Sequence, residues 1–85
     1  AGGFDHGHVH ALGGQLQAGA FSTAADAEAM RAKLALLGQV ARIETVEAEG
    51  RTLHRVRLGP FASASERAAV QQALAEAGIG ATAVR

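Results

Sequence analysis

The side chains best suited to recognising a ligand lie in two short segments of the chain, residues 15–19 and 53–59. Gln17 offers a hydrogen-bond donor and an acceptor at a fixed separation, which suits amide and hydroxyl groups. Arg55 and Arg57 each present a planar fork that can grip a carboxylate through two hydrogen bonds. These residue types suit an amino-sugar polymer that bears acid groups, although they are also common on plain solvated surface. Whether these residues form a ligand site or plain solvated surface depends on how the strands and helices position them.

Residues suited to covalent or acid–base catalysis are few. The chain has no cysteine, and His54 is the only histidine beyond residue 10. A general base needs a nucleophile or an orienting carboxylate beside it, and the sequence places neither near His54. His6, His8 and His10 alternate within a glycine-rich segment, where an unfixed backbone supports at most an adventitious metal site. We therefore predict a domain that is not an enzyme and that has no cofactor and no physiological metal.

Length and charge narrow the possible partners. With 85 residues, of which 48% are hydrophobic, the chain predicts one small folded domain. Residues 1–14 are interpreted as a flexible linker or expression remnant, and residues 15–85 as the domain. Eight basic residues balance eight acidic ones, so no overall field draws the chain onto nucleic acid or an acidic membrane. We expect a fragment of a longer protein, because the sequence begins at Ala1, and we expect this domain to be a monomer.

From residue 15 onward the chain aligns with itself at an offset of 40 residues. Thr23 followed by Asp26, and Ser63 followed by Glu66, have capping-box spacing and predict two helix starts. Arg67 lies off the apolar stripe of the second helix and is expected to be solvated. The matched pairs include Gly19 with Gly59, Phe21 with Phe61, Leu34 with Leu74, and Gly38 with Gly78.

Each half of this repeat predicts a strand followed by an amphipathic helix. Residues 15–21 and 51–59 alternate apolar and polar side chains, as half-buried strands do. Residues 41–47 and 81–84 predict two further strands, and Glu49-Gly50 supplies a hairpin turn. The order βαβ–βαβ predicts an α+β fold of the RNP or ferredoxin-like type, a four-stranded antiparallel sheet with both helices on one face.

Alternation along the strands assigns side chains to the two faces of this sheet. Leu16, Ala18 and Ala20 of the first strand are expected to face the helices, as are Val56 and Leu58 of the third. The first and third strands are central neighbours in such a sheet, so the side chains on their other face converge on one patch. This open face carries the candidate binding residues Gln15, Gln17, Gly19, Leu53, Arg55 and Arg57.

Two motifs in these strands resemble the SPOR family of domains. The run LQAGAFS at residues 16–22 is similar to the family's opening pattern of an apolar residue, Gln, an apolar residue, Gly, a small residue and Phe. The run TLHRVRLGPF at residues 52–61 resembles its second pattern, in which an aromatic residue, Arg and Val precede Gly-Pro-Phe. The resemblance covers residues 14–85. Among carriers of such domains, residues 53–60 most resemble the C-terminal domain of rare lipoprotein A-type proteins.

The resemblance implies a non-catalytic module that binds peptidoglycan. SPOR domains recognise glycan strands from which amidases have removed the stem peptides, and they direct their parent protein to the division septum, in the periplasm or cell envelope. The resemblance assigns Gln17, Gly19, Arg55 and Arg57 to the ligand. It implies a parent such as a lytic transglycosylase or an amidase. His54 stands where the family commonly has tyrosine, so sugar stacking at that position is not implied.

Two other functions share this architecture. RRM domains bind RNA on the same open face, but they stack bases on aromatic residues where this chain has Gln17, Arg55 and Arg57. The open face could also dock a protein of the cell-division machinery, as a protein–protein interaction module. Phe21 and Phe61 precede the two helix caps, and we interpret them as packing residues rather than as platforms for sugar rings.

Overall fold

The computed structural model describes residues 12–84 of the chain. The hydrogen-bonded order of its strands is β2-β3-β1-β4. A four-stranded antiparallel sheet with two helices confirms the predicted α+β fold class. The elements are β1 (Gln15–Phe21), α1 (Ala24–Leu36), β2 (Ala41–Ala48), β3 (Arg51–Leu58), α2 (Ala64–Glu76) and β4 (Thr82–Val84).

Each helix begins at the cap that the sequence predicts. Thr23 Oγ1 accepts a hydrogen bond from the backbone N–H of Asp26 at 3.2 Å, and Ser63 Oγ accepts one from the backbone N–H of Glu66 at 3.1 Å. These bonds satisfy N–H groups that have no partner inside the helix. The glycine two residues after each helix has a φ of +83°, a left-handed conformation that glycine adopts without steric penalty.

The β2–β3 hairpin sets the register of the polar side chains. The strands pair without interruption from Ala41 opposite Leu58 to Ala48 opposite Arg51. The turn residues Glu49-Gly50 have φ values of 54° and 78°, as a two-residue type I′ turn requires. In the strand order β2 stands at the edge, paired with β3 alone among the described strands.

The chain divides into two compact units, and residues 17–58 form the first of them. In this unit α1 packs against β2 and β3. Ala27 and Leu34 of α1 are fully buried, as are Val56 and Leu58 of β3. The predicted inward assignment of the two β3 residues is therefore confirmed, and the intervening residues of β3 lie on the face away from α1.

The second unit comprises, among the described residues, 12–16 and 59–84. The backbone of Phe61 pairs with Gly13 and Gly14 through hydrogen bonds of 3.0 and 2.9 Å. Arg67 Nη1 donates to the Gly13 carbonyl at 3.0 Å, and Arg67 is half-buried. The expectation that Arg67 is solvated was therefore wrong, because a backbone carbonyl lies within its reach. The buried apolar side chains of this unit are Leu16, Phe61, Leu74 and Ile79.

Strand β1 follows the expected alternation only in its first part. Leu16 and Ala18 are buried as expected, but Ala20 is exposed. Gly19 has a φ of +147°, which is outside the range of a regular strand, so strict alternation ends there. The three histidines of the predicted linker fall in residues 1–11, outside the described residues.

Candidate ligand-binding face

Arg57 lies at the centre of a polar network on the face of β1, β3 and β2 that points away from α1, here called the open face. Its Nε donates to Gln17 Oε1 at 2.8 Å, and its Nη1 lies 3.8 Å from Glu44 Oε1. Only 13% of the Arg57 side chain is exposed. The two contacts come from strands on either side of β3, so Arg57 is held from both flanks and has a fixed direction.

Glu44 connects Arg57 to the edge of the sheet. Arg42 Nε donates to Glu44 Oε2 at 2.8 Å, and the other carboxylate oxygen faces Arg57. One carboxylate thus lies between two guanidinium groups, which lowers their mutual repulsion. Sequence alternation places Arg42 and Glu44 outside the core, but it gives no sign that Glu44 organises the predicted site.

Arg55 differs from Arg57 in having no such anchor. It is half-buried, and its backbone is directly opposite that of Glu44 in the β2–β3 register. Within residues 12–84 its guanidinium makes no hydrogen bond and no ion pair. The five N–H donors of Arg55 are therefore available to a ligand on the open face.

Gln17 has a defined orientation because its oxygen is engaged. Since Oε1 accepts from Arg57, the Gln17 amide nitrogen must point elsewhere and its two N–H donors are presented on the open face. The predicted convergence of Gln17 with Arg57 on neighbouring strands is what the geometry shows. Gln17 therefore supports Arg57, and its amide nitrogen is not used in that hydrogen bond.

Gly19 has a steric reason to be glycine. A Cβ at this position would lie 2.8 Å from ring atoms of Phe21, and φ is +147°. The repeat partner Gly59 has a φ of +104°, and its Cβ would lie 3.1 Å from the ring of Phe61. In both halves a glycine thus lies beneath the aromatic ring two residues later, which agrees with packing roles for Phe21 and Phe61.

Leu53 and Gln15 are the two remaining predicted site residues. Leu53 is half-buried and stands opposite Val46 in the hairpin register, two residues before Arg55 on the open face. Gln15 opens β1, is half-buried, and belongs to the other unit of the chain. Leu53 therefore extends the open face with an apolar side chain at the hairpin end.

His54 lies on the opposite side of β3 from Arg55. Its Nδ1 is 3.2 Å from Thr45 Oγ1 on the neighbouring strand.

Among residues 12–84, no group of three potential ligands could hold a metal ion, and no helix is long and apolar enough to cross a membrane.

Charge is unevenly distributed over this small domain. The open face carries four arginines and one glutamate, a net charge of +3, on a chain whose formal net charge is zero. Such local segregation attracts an anion at short range without a long-range field. The arginines are Arg42, Arg51, Arg55 and Arg57, and the glutamate is Glu44.

Comparison with known proteins agrees with the resemblance read from the first and third strands. A family model described as SPOR domain matches residues 15–85. The chain is also similar to the crystal structure of the RlpA SPOR domain from Pseudomonas aeruginosa, with 40% sequence identity and a TM-score of 0.78. That match covers 84% of this chain and 96% of the other. Among curated proteins, none matches the chain.

Proposed function

This chain belongs to the SPOR domain family, and from that premise we propose that its open face recognises peptidoglycan glycan strands that lack stem peptides. The family is one of peptidoglycan-binding modules, so the chain is a binding module that acts in the cell envelope, where its ligand lies. The net charge of +3 on the open face is the observation that supports a preference for strands without stem peptides.

Removal of the stem peptide changes the charge of the glycan. An amidase hydrolyses the amide that joins the peptide to the lactyl group of muramic acid, and a free carboxylate remains on the sugar. A denuded strand is therefore a regular array of carboxylates, whereas a peptide-bearing strand has neutral amides at those positions. A face with net charge +3 favours the denuded strand, since a carboxylate forms stronger hydrogen bonds with arginine than an amide does.

Each side chain of the site contacts a different chemical group of the glycan. Arg55, with its unengaged donors, takes the lactyl carboxylate in a two-bond arrangement. The N–H donors of Gln17 meet acetamido or hydroxyl oxygens of the sugar. Arg57 contributes charge and holds Gln17 in position through the 2.8 Å hydrogen bond. Leu53 offers an apolar contact beside them.

In this proposal the domain does no chemistry of its own. It directs its parent protein, such as a lytic transglycosylase or an amidase, to the division septum, where amidases expose denuded strands. One copy of the chain suffices for binding, because Gln17, Arg55 and Arg57 lie in a single unit of residues 17–58.

Cosedimentation with purified sacculi before and after amidase treatment tests the proposal. Binding should rise after treatment, and the rise should shrink with added salt, because charge attraction is screened. Equal binding to treated and untreated sacculi would contradict recognition of denuded strands. Binding that survives a large excess of soluble glycan would favour a protein partner instead.

A further inference from the structure

The edge strand β2 and the residue before it form a self-complementary sequence on the open face. Within β2 the residues on that face are Arg42, Glu44, Val46 and Ala48, and Val40 continues the same alternation one residue before the strand. When two copies of such a strand pair antiparallel about Ile43, residue 42 stands opposite residue 44 of the other copy, and residue 40 stands opposite residue 46. Arginine then meets glutamate twice, and valine meets valine twice. Other centres are worse: centring on Glu44 or Arg42 places like charges opposite each other.

The same edge carries the charged residues Arg42, Glu44 and Glu47, but it lacks other features that usually prevent strand pairing. Strand β2 is eight residues long, its register with β3 is continuous, and it contains neither proline nor lysine. Natural edge strands are usually short, bulged, or protected by proline or lysine. Among the described strands β2 pairs only with β3, and a further strand can add to an edge of this kind through backbone hydrogen bonds.

An exposed apolar side chain lies next to this edge. Val40, which directly precedes β2, is 91% exposed. A single exposed apolar residue needs no explanation. Here, however, Val40 is the residue that the paired register covers with Val46 of a second copy. Burial of these two valines adds apolar area to the charge pairs.

We propose that two copies of this chain associate through their β2 edges, in an antiparallel register centred on Ile43. Residues opposite each other in an antiparallel pair point to the same side of the sheet, so both open faces look in one direction. Three strand spacings of about 4.8 Å separate the two β3 strands, which places the two Arg55 positions about 14 Å apart across the sheet.

The association revises the sequence expectation of a monomer at high concentration. One strand pair with a few side-chain contacts buries less than a standard interface of about 1,200 to 2,000 Å². We therefore expect a dimer at chain concentrations on the order of 0.1 to 1 mM, and a monomer in dilute solution. On a sacculus, where bound domains concentrate, the dimer would engage two glycan segments at once and gain avidity. This last consequence rests on the proposed function, whereas the dimer itself does not.

Sedimentation equilibrium of the full chain without glycan tests the dimer, so the result is independent of glycan recognition. A chelator is included, because the three histidines of residues 1–11 could bridge chains through a metal. The variants Arg42→Glu and Glu44→Arg each put like charges opposite each other twice, and each should weaken the dimer roughly tenfold or more. A one-to-one mixture of the two variants restores both charge pairs and should form a heterodimer. Arg31→Glu, the same charge change on α1, should leave the dimer intact.

A further variant keeps the test valid if either charge change disturbs the fold. Val40→Ser removes only an exposed side chain, so the chain should fold as before and the dimer should weaken about tenfold. A chain that remains a single copy up to about 1 mM, or a mixture of the charge variants that stays monomeric while both fold, would overturn the proposal. Unchanged association of all three variants would also overturn it.

Discussion

Replacing Arg55 with alanine removes a guanidinium that, within residues 12–84, has no protein partner. Truncation therefore leaves no buried group unpaired, and the thermal melt should hardly move. The loss falls on the ligand, since a charge-assisted hydrogen bond at a half-exposed site contributes about 1 to 3 kcal/mol. Affinity for amidase-treated sacculi should then fall roughly five- to hundredfold.

Titration of amidase-treated sacculi by cosedimentation, with a thermal melt of every variant, measures this effect. Arg55→Lys keeps the charge but loses the planar fork, so its affinity should lie between those of the parent chain and Arg55→Ala. The matched control is Arg31→Ala, which removes an arginine from α1 whose side chain is 44% exposed and, within residues 12–84, is paired with Glu28 alone. Such a surface pair contributes little to stability, and its loss should leave binding unchanged.

Two results would refute the reasoning. If Arg55→Ala and Gln17→Ala both bind like the parent chain while remaining folded, the open face is not the site. If Arg55→Ala weakens binding equally on treated and untreated sacculi, then Arg55 contacts the glycan but not the carboxylate that amidase treatment exposes.

Three other variants separate structural from binding roles. Arg57→Ala should lower both the free energy of unfolding, by about 1 to 2 kcal/mol, and the affinity for treated sacculi, since its contacts to β1 and β2 are lost; urea unfolding and cosedimentation measure the two. Gly19→Ala should destabilise by about 1 to 3 kcal/mol, because its Cβ would meet the Phe21 ring at 2.8 Å, whereas Gly80→Ala, with open space around it, should change the urea midpoint little. Arg67→Ala should lower stability by about 1 kcal/mol and leave glycan binding unaltered, and an undiminished urea midpoint would contradict its bond to the Gly13 carbonyl.

The fold was predictable from sequence because its signals are local. A hydroxyl three residues before an acid defines each helix start, and the caps at Thr23 and Ser63 form as that spacing requires. Likewise Glu49-Gly50 supplies the two positive φ values of the hairpin turn. Each of these features is determined by residues no more than four positions apart, and no tertiary contact overrides it.

The different environments of the two arginines in the candidate site could not be predicted in the same way. Arg55 and Arg57 are two residues apart and alternation places both on the same face, yet Arg57 is held by Gln17 and Glu44 while Arg55 is not. That difference depends on the alignment of three strands, and the contact between Gln17 and Arg57 spans 40 residues of sequence. The steric need for Gly19 depends similarly on where the Phe21 ring lies, which alternation alone does not determine.

The contacts that hold Arg57 in place, to Gln17 and Glu44, also affect the conformational entropy of ligand binding. A long side chain that is free before binding and ordered afterwards costs about 0.5 to 1.5 kcal/mol of conformational freedom. Arg57 and Gln17 lose that conformational freedom on folding, because Arg57 Nε donates a hydrogen bond to Gln17 Oε1 at 2.8 Å. If the open face binds glycan as proposed, Arg57 and Gln17 are ordered before binding, whereas Arg55 becomes immobilised on binding.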